Sequence, residues 1–274
     1  MIGIFDSGYG GLSIFRDIEK KLPQYDYIYL GDNARAPYGD RSQKLIYKYS
    51  QEAVDYLFAK GCKLIIFACN TASAMALRKL QQEYLPKKYP GRNILGVIHP
   101  LVETVSELKK NSKVGIMGTV STIDSKAYVN EFSSINPSIL VFQQACPLLV
   151  PLIEESRENM PETKMILTEY IRPLKKINLD AVVLGCTHYG WLQTMIEKSF
   201  GTEVKVLRSG QIVADKLAGY IGRHPEYDSP SKDPSRVFLT TNDNKKFDQA
   251  AEKFLGRKIK SKTINLSAKG RVNK

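Results

Sequence analysis

Leu64-Ile65-Ile66-Phe67-Ala68-Cys69-Asn70-Thr71 and Ala181-Val182-Val183-Leu184-Gly185-Cys186-Thr187-His188 are near-matching stretches, each an apolar run that ends in a cysteine. Ile2-Gly3-Ile4-Phe5-Asp6-Ser7 and Val114-Gly115-Ile116-Met117-Gly118-Thr119 repeat at nearly the same offset. The chain therefore reads as two diverged halves. Runs of four or five apolar residues bounded by glycine or polar turns are the mark of buried parallel strands. A cleft between two such halves offers one thiol to each face of a substrate carbon, the arrangement that inversion of a stereocentre requires.

Working outward, strands are predicted at 2–5, 27–30, 64–68, 94–98, 114–117, 139–142, 181–184, 204–207 and 237–240. Helical spacing follows Leu12, spans 42–60 with Gly61 as a C-terminal cap, and recurs at 73–83, 121–132, 161–178, 190–200, 211–221 and 245–255. Pro100 marks a change of direction. Alternating strands and helices give an α/β fold: two pseudo-symmetric domains with mainly parallel sheets flanked by helices, and an active site in the cleft between them. The first domain is expected to be discontinuous, 1–98 with 209–274, and the second to span 99–208. In open parallel sheets ligands bind beyond the carboxyl ends of the strands. Asp6-Ser7, Cys69-Asn70-Thr71, Gly118-Thr119 and Cys186-Thr187-His188 all fall there.

At 274 residues, with 43% apolar and 25% charged residues, the composition is that of a folded globular protein. No apolar run is long enough to cross a bilayer, and the N-terminal stretch lacks the features of a signal peptide, so a cytoplasmic location is expected. Four cysteines without CxxC spacing read as free thiols. The net charge of +12 invites a nucleic-acid reading, but Arg257, Lys258, Lys260, Lys262, Lys269, Arg271 and Lys274 crowd the last 18 positions. That stretch reads first as a solvated tail, and second as a contact for nucleic acid or an acidic partner. Gly8-x-Gly10-Gly11 is not a dinucleotide fingerprint, no phosphate-loop motif is present, and Cys186 and His188 have no second ligand pair for zinc. Neither a metal nor a cofactor is expected.

A thiol at a strand-to-helix turn is placed for a lowered pKa and for service as a base. Cys69 and Cys186 fit that description, whereas Cys62 precedes its strand and Cys146 sits before Pro147. A single buried cysteine is more often packing than chemistry, but the repeat pairs these two. His188 is close enough in sequence to tune Cys186. Asp6 follows an apolar strand, where a carboxylate needs turn amides or a catalytic use. Either Glu154 or Glu155 is available to orient His188. Asn70, Thr71, Thr119, Thr122 and Thr187 supply neutral donors suited to a small amino acid, or cap local helices. Pro37-Tyr38-Gly39 is a turn that could close over the same cleft.

Asp6-Ser7-Gly8-Tyr9-Gly10-Gly11, Tyr29-Leu30-Gly31-Asp32 with Pro37-Tyr38-Gly39, Ala68-Cys69-Asn70-Thr71-Ala72, Cys146-Pro147-Leu148-Leu149-Val150-Pro151 and Gly185-Cys186-Thr187-His188-Tyr189 together resemble the glutamate racemases of the aspartate/glutamate racemase family. Phe238-Leu239-Thr240-Thr241 extends the likeness towards the C-terminus. The resemblance implies cofactor-independent interconversion of L- and D-glutamate, supplying D-glutamate for peptidoglycan. It assigns proton abstraction from the D-enantiomer to Cys69 and from the L-enantiomer to Cys186. Asp6 and His188 are implied to assist their neighbouring thiols, and Glu154 to support His188. Implied substrate contacts are Asp6, Ser7, Tyr38, Gly39, Asn70, Thr71, Thr187 and His188, with Thr119 and Thr122 nearby. A homodimer is implied as well. Gly190, where the family usually has proline, Asn242 in place of glycine and Gln211 in place of an acid depart from the pattern.

Overall fold

The computed structural model describes residues 1–266. Lys269, Arg271 and Lys274 of the basic C-terminal stretch lie outside the described residues. In chain order the elements are β1 (Ile2–Asp6), α1 (Leu12–Lys21), β2 (Tyr27–Gly31), α2 (Gln43–Ala59), β3 (Leu64–Phe67), α3 (Asn70–Ala72), α4 (Leu85–Lys88), β4 (Asn93–Gly96) and α5 (Ile98–Val105). Two π-helical segments, Ser73–Leu77 and Leu80–Tyr84, run between α3 and α4. There follow β5 (Lys113–Gly118), α6 (Val120–Asp124), α7 (Ala127–Ile135), β6 (Leu140–Ala145), α8 (Leu149–Glu154), α9 (Pro161–Lys175) and β7 (Ala181–Gly185). A 3-10 turn (Thr187–Leu192), α10 (Gln193–Phe200), β8 (Lys205–Leu207), α11 (Ser209–Arg223), β9 (Arg236–Thr240), α12 (Asn244–Leu255) and β10 (Ser261–Thr263) complete it.

The strands form two parallel sheets, ordered β10-β9-β2-β1-β3-β4 and β6-β5-β7-β8. The repeat is visible in the register. β1 pairs β3 with Phe5 beside Phe67, and β5 pairs β7 with Gly118 beside Gly185, so both cysteine turns leave a central strand beside the turn of its partner. Alternate residues face opposite sides of a strand. Ile2, Ile4, Leu64 and Ile66 accordingly pack with α1, α11 and α12, while Phe5, Ile65 and Phe67 pack with α2 and the helical run after Cys69. Among the described residues, no helix is long and apolar enough to cross a membrane.

Several boundaries differ from the sequence reading, each for a local reason. The helix predicted at 73–83 begins at Asn70, because the Cys69 thiol caps it by accepting from the Ala72 amide at 3.4 Å. The strand predicted at 94–98 stops at Gly96, and Pro100 lies in the first turn of α5, where the amide it lacks would have no helical partner. The helix predicted at 121–132 is broken at Lys126, which adopts φ +55°. The segment expected as helix at 190–200 starts earlier, as the 3-10 turn, and becomes α-helical only at Gln193. The basic C-terminal stretch is not simply a solvated tail. Arg257 pairs with Glu19 at 2.7 Å, and Ser261–Thr263 adds β10 to the sheet edge.

Candidate active site

Two glycines let the sheet ends come together. A Cβ on Gly10 would lie 2.2 Å from Thr187 Oγ1 and 2.7 Å from His188 Nδ1, and one on Gly39 would lie 2.9 Å from Thr119 Cβ. Any side chain at Gly10 would displace Thr187 and His188, and one at Gly39 would displace Thr119. Across the same junction Thr71 Oγ1 meets the hydroxyls of Thr119 at 2.9 Å and Thr122 at 3.2 Å. Tyr128 donates to Asn70 Oδ1 at 2.7 Å, and the Ser121 amide donates to the Gly39 carbonyl at 2.9 Å.

These contacts close a cavity lined by Ser7, Tyr38, Gly39, Cys69, Asn70, Thr71, Thr119, Glu154, Cys186, Thr187 and His188, with Asp40, Pro37, Pro147, Val150 and Pro151 completing the wall. Asp6 and Thr122 stand behind it, both fully buried. The cavity measures about 30 Å³. That is room for on the order of two waters and too little for an amino acid, so admission of a substrate requires the cavity to open. Larger cavities lie elsewhere, among them one of about 490 Å³ near His99 and Tyr220 that reaches neither thiol, and one of about 290 Å³ that reaches Cys186 but not Cys69.

The two thiols have different surroundings. Cys69 Sγ lies 3.3 Å from Ser7 Oγ and caps α3. Contrary to the sequence expectation, its pKa is pushed up to about 12, first by burial and then by the nearby Asp6 carboxyl, with Ser7 and the Ala72 amide opposing. Helix geometry favours the thiolate, but burial without an adjacent cation outweighs it. Asp6 is itself raised by burial, against the pull of His188 and of the Gly8 and Gly11 amides; its Oδ2 accepts from the Gly8 amide at 2.9 Å, while Oδ1 has no well-formed hydrogen bond among the described residues. Cys186 Sγ is 3.9 Å from His188 Nδ1. Glu154 Oε1 approaches His188 Nε2 at 3.2 Å, off the line of a good hydrogen bond, so the contact is an ion pair. Burial pulls the imidazole pKa down, but Cys186 and Glu154 overcome it and hold His188 at about 10. The structure thus selects Glu154 from the acidic pair.

Cys62 and Cys146 are buried thiols whose pKa values burial raises, and neither lines this cavity. His99 pairs with Glu131, and His224 with Glu226, well outside it. One residue, quoted only as part of the family motif, was not among the expected site residues. Asp32, fully buried, accepts from Tyr38 OH, from Arg35 Nε at 2.7 Å and from Thr241 Oγ1 at 2.8 Å, and so anchors the Tyr38-Gly39 turn over the cavity. The sequence signals were a carboxylate just after a buried strand, as at Asp6, and the place of Asp32 in the Tyr29-Leu30-Gly31-Asp32 motif.

A central strand of each sheet thus delivers one cysteine to a shared, closed cavity, and residues 2–217 match the Asp/Glu/hydantoin racemase family. The chain belongs to that family. This racemase is 42% identical to the glutamate racemase of Geobacter metallireducens over 223 residues, which is 80% of each chain. Its fold matches that of the Bacillus anthracis glutamate racemase isoform RacE1 with a TM-score of 0.90, 32% identity and 97% of both chains covered. The Francisella tularensis glutamate racemase in complex with D-glutamate gives a TM-score of 0.87 at 31% identity, again over 97% of both chains. The racemase is an isomerase of amino acids.

Proposed function

We propose that the chain racemises glutamate without a cofactor, Cys69 and Cys186 acting as two bases on opposite faces of Cα, and that it supplies D-glutamate for peptidoglycan as a cytoplasmic homodimer. The observation that carries the reading is the convergence of both cysteine turns on one cavity with Asn70, Thr71 and Thr187 between them. The names of the relatives support glutamate as the substrate.

In the forward direction a thiolate removes the α-proton, the resulting carbanion is held by the amide and hydroxyl donors, and the opposite thiol delivers its own proton to the other face. The first cysteine ends protonated and the second as thiolate, so the reverse reaction starts from the product state. Cys69 takes the proton of D-glutamate and Cys186 that of L-glutamate. A fully buried thiol is a weak base precursor, and the substrate's own α-ammonium supplies the cation that Cys69 otherwise lacks. Asn70 Nδ2, buried without a hydrogen-bond partner among the described residues, is a donor free to meet a substrate carboxylate. Closure excludes water and strengthens each of these interactions.

The test is incubation of the purified chain with L-glutamate in heavy water, no cofactor added, following optical rotation and the α-proton signal together. Racemisation with deuterium at Cα is expected. Retention of both signals on glutamate, with turnover of aspartate in a parallel sample, would overturn the substrate assignment, and no exchange on either would overturn the chemistry.

A further inference from the structure

α12 packs Phe247, Ala251 and Phe254 into the core of the first sheet. Its last turn nevertheless reaches the two segments that carry His188 and Glu154. The Phe254 ring meets Trp191 edge-on, with centroids 5.1 Å apart and planes at 85°. Lys253 Nζ donates to Ser156 Oγ at 2.8 Å. Trp191 stands three residues after His188 in the 3-10 turn, and with three residues per turn the two side chains share a face. Ser156 follows Glu154 by two residues and turns the chain with φ +57°. One contact therefore reaches the segment that carries His188, and the other the segment that carries Glu154.

Tyr189 and Leu192 anchor the turn in the core of the second sheet beside Leu149, Val150 and Ile153, but Trp191 itself is loosely packed. Cavities of about 290 and 310 Å³ flank Trp191. A Cβ on Gly190 would touch nothing within 4 Å, so packing does not demand glycine there, and glycine leaves the backbone between His188 and Trp191 soft.

We propose that Phe254 and Lys253 are positioning residues for the Cys186 base: by gripping Trp191 and Ser156 they hold His188 and Glu154 where they serve that thiol. The inference rests on the two-base reading above. Neither residue lines the thiol cavity, so loosening the grip lowers kcat rather than substrate affinity. Because the two enantiomers are equal in free energy, kcat/KM falls by one factor in both directions.

The experiment uses the full chain, with Trp191, the single tryptophan, as an optical reporter of the contact. Phe254→Ala is expected to shift its emission to the red, lower kcat about tenfold in both directions with KM within twofold, and move the alkaline limb of the kcat profile to lower pH. Phe254→Tyr restores all three. Lys253→Met, at an exposed position that does not threaten folding, is expected to lower kcat about threefold and move the same limb the same way. The direction of movement discriminates. His188 faces Asp6, Cys186 and Glu154, and Glu155, Glu158, Lys246 and Lys253 ring the adjoining cavity. Loss of the Lys253 charge alone would therefore raise the limb, whereas slackening of the His188–Glu154 pair lowers it.

A red-shifted Phe254→Ala with wild-type kcat and limb overturns the proposal. A fall in kcat with the limb unmoved assigns Phe254 a merely structural part and overturns it too. Should Phe254→Ala fail to fold, wild-type behaviour of Lys253→Met does the same. Inactivity of the wild-type chain on glutamate would instead bring down the reading of the site, and this inference with it, so the two failures are told apart by the wild-type control.

Discussion

The Cys69 turn and the Cys186 turn occupy equivalent places in their sheets, yet they are built differently. Cys69 has a hydroxyl, a helix amide and a buried carboxyl beside it, and its proton is held tightly. Cys186 has an imidazole backed by a carboxylate. Duplication supplied two equivalent strand ends, and divergence of the flanking loops supplied two different ways of managing a thiol. The proposed two-base reaction tolerates that asymmetry, because the thiols begin and end each turnover in opposite protonation states. Both are protonated only while the carbanion lasts.

The comparison breaks first at the thiols themselves. Cys69→Ser and Cys186→Ser are each expected to lower racemisation at least about 10³-fold, since a hydroxyl is a far weaker base. Polarimetry on both variants checks it, and near-wild-type turnover in either would refute the equivalence of the two turns.

His188→Asn comes next, with a loss of about 10²-fold expected in kcat. It also sharpens the electrostatic contrast. The folded pKa of about 10 lies above the ordinary 6.5, so the stability His188 contributes is fully present below pH 6.5 and is lost as pH rises towards 10. Thermal melts across that window should show a shallower decline for His188→Asn than for wild type. Equal slopes would mean that the imidazole is not held by Cys186 and Glu154.

Asp6 gives a smaller effect of opposite sign on stability. Its folded pKa is raised, so its favourable contribution is present below the ordinary carboxylate value of 3.8 and is lost as pH rises through the folded value, leaving a cost at neutral pH. Asp6→Asn is therefore expected to stabilise the fold at neutral pH while lowering kcat at least about tenfold. Denaturant melts and initial rates on one preparation test both halves of that statement. A destabilised variant would show that the carboxylate is structurally required.

The smallest expected effect is at the Tyr38 lid. Tyr38→Phe removes one donor to Asp32 but leaves Arg35 and Thr241 in place. A rise in KM of about three- to tenfold, with little change in kcat, follows from the loss of one hydrogen bond to a charged group. An unchanged KM would mean that Arg35 and Thr241 hold the Tyr38-Gly39 turn without Tyr38's help.

The strand ends and both thiols were legible because the signal is local: four or five apolar residues followed by a polar turn. Pro100 was misleading because proline disfavours helix interiors but not first turns. α8 was missed because Pro147 and Pro151 hide a helix of one and a half turns in a proline-rich stretch. β10 was hidden in a run of lysines, and lysine is how an edge strand avoids pairing with another chain. The local sequence could not resolve the acidic pair, since Glu154 and Glu155 differ only in which way α8 turns them; the family resemblance pointed to Glu154, the one that stands at His188.

By itself the sequence determined the alternation of strand and helix, the duplication, and the placing of Asp6, Cys69, Thr119 and Cys186 at strand ends, because each follows from hydrophobic period and turn chemistry over fewer than ten residues. Only the tertiary structure decided that Gly10 must be bare to admit His188, that Asp32 anchors Tyr38, that Glu154 faces the imidazole, and that burial raises the Cys69 pKa where a helix end alone would lower it. Those outcomes depend on which groups from distant parts of the chain share one water-poor space, and in such a space burial and charge pairing outweigh any preference a residue carries on its own.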